Sequence, residues 1–179
     1  MTMEQKYLKL WGLYEKDYES SFKDLELSPT IIDFLLEYIN SFPGTGGIVF
    51  QGNPKLATKT MGRTVMELYK ANRFKNRVSI VDIPSYLVRY GTMDFSERSM
   101  AEGKMFEDLV NSDLVVFQEM GLALWSTLQK TKLYTLLYER YSRKLPFFVT
   151  TSSGATELET HIGSSNFFRV ADECTFLEL

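Results

Sequence analysis

One cysteine and one histidine stand among 179 residues, and each scarcity closes a class of chemistry. Cys174 alone forms no internal disulfide, and with His161 as the single imidazole there is no Cys/His zinc set, so no metal site is expected. No Gly-x-Ser-x-Gly elbow accompanies that histidine, which removes a Ser/His/Asp triad. His161 and Cys174 read as structural. Long apolar runs are missing as well: none approaches the ~18 to 20 residues of a membrane span. The opening residues MTMEQKYLKLWGLYEKDYES lack the apolar core of a signal peptide, so a reduced, cytoplasmic setting is the expectation. Basic excess is absent, with 20 Lys and Arg against 23 Asp and Glu and a net charge of −3. That balance argues against holding nucleic acid by bulk charge; a local basic groove with weak contact to single-stranded DNA stays open. No repeat, low-complexity tract or Pro/Gly-rich linker divides the chain.

What is present is alternation. With 44% hydrophobic residues the chain suffices for one well-cored domain. Residues 1–41 read as a helical extension packed on or flanking the core, and 42–179 as an α/β core. Strand-length apolar runs at 47–51, 77–83, 113–119, 146–152 and 173–179 are rich in Val, Ile, Leu or Phe and bounded by polar or turn residues. Between them, 59–72, 85–90, 97–111, 124–143 and 157–168 space apolar positions three and four apart. Crossovers of that length imply a parallel sheet wrapped by helices. Upstream, Ser28 and Pro29 open a helix over 30–41 as N-cap and first helical residue. Tyr7, Leu10, Trp11, Tyr14 and Tyr18 share one face of a possible earlier helix. They read either as a stripe packed on the domain or as a partner-docking surface around Trp11 and Tyr14.

Ligands of open parallel sheets bind beyond the carboxyl ends of the strands. After the first strand comes FQGNPKLATKT (50–60). A phosphate-binding loop is G-x-x-x-x-G-K-[ST], its glycines letting backbone N–H groups fold around phosphates. Gly52, Lys59 and Thr60 remain here; the interior glycines do not. The third strand of a nucleotide-hydrolysing protein of that kind ends in acids that orient Mg²⁺ and polarise water. Gln118 stands where the first acid belongs and Glu119 where the second does.

Several stretches in succession resemble one family. They are YESSF (18–22), the loop just described, VDIPSYL (81–87), SDLVVF (112–117), Leu133-Tyr134 with Arg140-Tyr141 and Leu145-Pro146, and Thr151-Ser152. Together they look like the AAA+ core of bacterial helicase loaders, the DnaC/DnaI/IstB-like group, over roughly residues 18–179. The resemblance implies a P-loop NTPase/AAA+-like three-layer fold with a five-stranded parallel sheet in the order 5-1-4-3-2. It also implies a nucleotide at the tip of the first strand, and action on a replicative helicase at single-stranded DNA. On that resemblance Gly52, Lys59, Thr60, Gln118 and Ser153 fall on nucleotide-binding positions, Glu119 on a water-polarising one and Arg169 on the arginine finger.

The departures run through the same positions. The family loop reads G-x-x-G-x-G-K-[ST], whereas Gly52 to Thr60 is one residue longer before Lys-Thr, with Lys55, Ala57 and Thr58 where two glycines belong. Side chains there resist the backbone angles the loop uses. Gln118 is neutral where the family has Asp, and Ser153 replaces an Asn. Two functions follow from this. One is a DNA-replication protein, deficient as an ATPase and without cofactor, that acts by contact with a helicase, a loader or another replication protein. The other is an active ATP- and Mg²⁺-dependent helicase loader with an atypical P-loop. About forty residues precede the sheet, too few for the family's separate helicase-binding domain. Oligomers are compatible with either. The runs Lys70, Arg73, Lys75, Arg77 and Arg140, Arg143, Lys144 read as solvated helix ends more readily than as a DNA track. Trp125 reads as packed in or beside the core, and the Arg169 guanidinium is as easily paired with Asp172 or Glu173 as with a neighbour.

Overall fold

The computed structural model describes residues 12–44, 46–75, 77–91 and 95–179. Its strands are β1 (Gly47–Gln51), β2 (Val78–Asp82), β3 (Leu114–Gln118), β4 (Phe147–Thr151) and β5 (Cys174–Glu178). Every pairing among them is parallel and the spatial order is β5-β1-β4-β3-β2, as expected from the sequence. Parallel strands cannot be joined by tight hairpins, so helices supply the crossovers. In chain order they are α1 (Glu15–Tyr18), α2 (Pro29–Ser41), α3 (Pro54–Lys70), α4 (Ile83–Gly91), α5 (Phe95–Val110), α6 (Thr127–Ser142), α7 (Ala155–Ile162) and α8 (Ser164–Glu173).

Alternation along β1 divides the core in two. Ile48 and Phe50 face a cluster with Tyr18, Leu35, Tyr38, Met61 and Leu68 from α1, α2 and α3. Val49 faces the other way, onto Leu133, Leu137, Leu158 and Val170 from α6, α7 and α8. The three layers result from this, and β1, β3 and β4 are buried on both faces.

Three of the boundaries that differ from the sequence expectation do so for a clear local reason. Helix α3 begins at Pro54 rather than 59, because Asn53 caps it and Pro54 is its first residue. Ser126 and Gln129 close a reciprocal capping box that starts α6 at Thr127 rather than 124. The stretch 157–168 lies on two helices, interrupted at Gly163, whose φ of +87° a side chain would disfavour. At the front, Gly12 also takes φ +87°, and the first helix among the described residues covers Glu15–Tyr18. Leu13, Tyr18 and Phe22 enter the first core cluster, whereas Tyr14 is exposed.

Arg140 corrects the reading of a solvated helix end. It is fully buried, and its guanidinium donates to the carbonyls of Leu109 at 2.7 Å, Ser112 at 2.8 Å and Pro146. The amino ends of β3 and β4 would otherwise leave these acceptors unpaired, and a planar five-donor fork can serve several at once. Burial lowers its pKa to about 10. It therefore stays charged at neutral pH.

Candidate functional site

The carboxyl ends of the strands place the sequence-derived candidates in one row. From β2 to β1 they are Asp82, then Gln118 and Glu119, then Thr151 to Ser153, then Gln51 and Gly52, following the strand register.

At β1 the chain turns into α3 within two residues, Gly52 and Asn53. Each backbone N–H through the first helical turn has a partner. Gly52 donates to the Thr151 carbonyl at 3.0 Å and Asn53 to that of Leu179 at 3.3 Å. The Asn53 side-chain oxygen accepts from Lys55 at 3.0 Å and Leu56 at 3.1 Å, and Ala57 closes the first helical bond back to the Asn53 carbonyl. Pro54 has no N–H to offer. Lys59 and Thr60 thus lie beyond the first turn of α3. Lys59 is half-buried and close enough to Asp17 to favour its charged form, although burial raises the pKa of Asp17 on balance. Thr60 is fully buried, and its hydroxyl has no hydrogen-bond partner. The missed signal was the dipeptide Asn53-Pro54, a cap followed by a first helical proline.

At β3 the chain leaves through Glu119, which adopts φ +55°, uncommon for a residue with a β-carbon. Its N–H donates to the Thr150 hydroxyl at 3.1 Å. The carboxylate is half-buried and its Oε2 is sealed from solvent with no hydrogen bond. Burial chiefly, and then the neighbouring charge of Asp82, push its pKa up. Gln118 lies beside it, half-buried. Ser153 is buried and turned inward: its hydroxyl donates to the Gly121 carbonyl at 3.1 Å, and the His161 Nδ1 meets the same oxygen. The loops after β3 and β4 are therefore bonded to each other and to α7. His161 and Trp125, whose indole donates to the Met120 carbonyl at 3.3 Å, are parts of that scaffold. Burial raises the pKa of the Cys174 thiol well above its ordinary value, in keeping with an inert role.

Arg169 is set apart from this row, on α8. Its guanidinium lies 4.5 Å from the ring centre of Tyr141, a cation–π contact; burial and then Asp172 raise the pKa of nearby Glu173, and the Arg169 charge only partly opposes them. Tyr141 and Phe168 beside it are exposed. Tyr14 is exposed with the Lys16 ammonium 6.0 Å from its ring centre; Tyr7, Leu10 and Trp11 lie outside the described residues. Besides Arg140, four residues of the basic runs are tethered locally. Lys70 bonds Glu67, Arg73 donates to the Asn40 carbonyl, Arg77 pairs with Asp108, and Arg143 with Glu139.

No family model and no curated protein sequence matches this chain. Solved structures do. The DnaC helicase loader superposes with a TM-score of 0.71 at 16% identity, over 96% of this chain and 98% of that one. DnaI gives 0.71 at 17% identity, over 89% and 90%. Domain III of the replication initiation protein DnaA from Thermotoga maritima gives 0.68 at 13% identity, over 89% and 66%. At these identities the likeness is one of fold, and the chain has the α/β AAA+ fold that these structures share.

Proposed function

We propose that this chain is a replication-associated AAA+-like protein that works by contact with a helicase, a helicase loader or another replication protein, without turning over ATP. One observation carries the second half of this reading: the amides of residues 52–57 are all engaged within the protein. A phosphate-binding loop works by presenting unpaired N–H groups at a helix N-terminus. Here the Asn53 side chain takes the place of the phosphate, Lys59 lies past the first turn, and Thr60 is sealed. Gly52, Lys59 and Thr60 do not fit a triphosphate in this arrangement, and Gln118 adds no charge to hold Mg²⁺. The likeness in fold to a helicase loader and to a replication initiator supports the first half.

With chemistry set aside, surfaces remain. Half-buried Arg169 with the exposed Tyr141 forms one candidate contact and the region of Trp11 and Tyr14 the other. A subunit of this kind would offer Arg169 to a neighbour's nucleotide, or cap a helicase or loader assembly and stop its growth.

Calorimetry with ATP, with and without Mg²⁺, tests the site; no heat of binding and no Mg²⁺-dependent hydrolysis are expected. Hydrolysis that disappears in Lys59→Ala would replace this reading with that of an active loader. Pull-down against purified replication proteins, repeated with Trp11→Ala and Arg169→Ala, tests the contact. Capture of no helicase, loader or single-strand-binding protein would remove it.

A further inference from the structure

A cavity of about 360 Å³ opens between α5 and α6, on the face of the sheet opposite α3. Its walls are apolar, with four aromatic rings, Tyr86, Phe106, Phe117 and Trp125, set among aliphatic side chains such as Leu133 and Leu136. Glu102, Gln129 and Lys132 supply the polar lining, with Glu102 and Lys132 paired across the two helices. Packed interiors leave few voids larger than a water molecule, whereas ligand sites occupy a few hundred Å³ and combine apolar walls with few polar groups. This cavity matches the second description. Trp125 is held in place by its bond to the Met120 carbonyl, so one wall is preformed.

A second observation concerns Gly103, which lines the same cavity from inside α5. Glycine is among the poorest residues for a helix interior. Close packing does not require it here, since a β-carbon at 103 would meet nothing within 4 Å. Gly103 is exposed at the edge of the cavity, and the space beside it is open.

We propose that the cavity is a binding site for a small, largely apolar molecule with an aromatic portion and one polar group, which meets Lys132, Glu102 and Gln129. Gly103 keeps its entrance free. The site is separate from the strand-tip row and does not depend on the function proposed above.

The probe is anilinonaphthalene sulfonate, an aromatic pair carrying one anionic group. The chain has two tryptophans, so a Trp11→Phe background leaves Trp125 as the sole indole donor for energy transfer to the dye. Saturable binding of one dye per chain, with quenching of Trp125, is expected. Gly103→Phe should weaken it at least tenfold while melting stays cooperative; if that variant does not fold, Gly103→Leu serves in its place. Dye uptake that does not saturate, or that keeps its affinity in a folded Gly103 variant, would overturn the assignment.

Discussion

Gly62 of α3 lies so close to Asp17 of α1 that a β-carbon on it would overlap the Asp17 carbonyl oxygen. Alanine in place of glycine inside a helix ordinarily adds about 1 kcal/mol. Here the sign should reverse, because α1 must be displaced. Gly62→Ala is expected to lose roughly 1 to 3 kcal/mol in urea denaturation, the range of overpacked sites. Residues 12–22 should also become more open to proteolysis. A stabilised variant would show that α1 does not rest on α3 in solution.

Arg140→Met removes the fork that satisfies the Leu109, Ser112 and Pro146 carbonyls. Several buried acceptors would be stranded together, so a loss of about 3 kcal/mol or more is expected. Arg140→Lys should recover little, since an ammonium cannot span the same set. Denaturant midpoints for the two variants check this.

Glu119 is held above its ordinary pKa by burial and by Asp82. As pH rises, the unfolded chain gives up this proton first, so between the two pKa values the folded state binds more protons and stability falls with pH. The penalty is complete above the folded pKa. Glu119→Gln should therefore melt higher than the parent at pH 7, the difference vanishing below about pH 4, where both states are protonated. Equal melting temperatures at pH 7 would show that the carboxylate carries no such penalty.

Gly52 has φ +129°, and a β-carbon there would overlap the Leu179 carbonyl oxygen. Its glycine is thus required by the approach of the β5 end to β1, independently of any phosphate. Gly52→Ala is expected to lose about 1 to 3 kcal/mol from strain and clash, equally with and without ATP. A melting temperature that rises with ATP and Mg²⁺ in the parent and not in the variant would return this glycine to a nucleotide-binding role.

The sheet was legible because β1, β3 and β4 are buried on both faces and so read as unbroken apolar runs. Their order came from the family resemblance and agrees with the structure. Helix limits were less legible where short polar signals decide them. Asn53-Pro54, Ser126 with Gln129, and Gly163 each set a boundary that apolar periodicity runs through. The site was legible by position only. Gln118, Glu119 and Ser153 do gather at the carboxyl edge, but periodicity carries no information on whether a hydroxyl faces outward or bonds Gly121. Arg140 was misread because its neighbours Arg143 and Lys144 are surface residues, and nothing local marks the carbonyls that draw it inward.

The clasp at Arg140 divides the sheet into two ends with unequal freedom to change. Carbonyls of Leu109, Ser112 and Pro146 converge on one cation at the amino ends of β3 and β4, so a substitution on that side disturbs three connections together. At the other end, Asn53 secures α3 with its own side chain, and a change there leaves the clasp intact. A change confined to the Asn53 cap therefore reaches the start of α3 without loosening the opposite edge of the sheet.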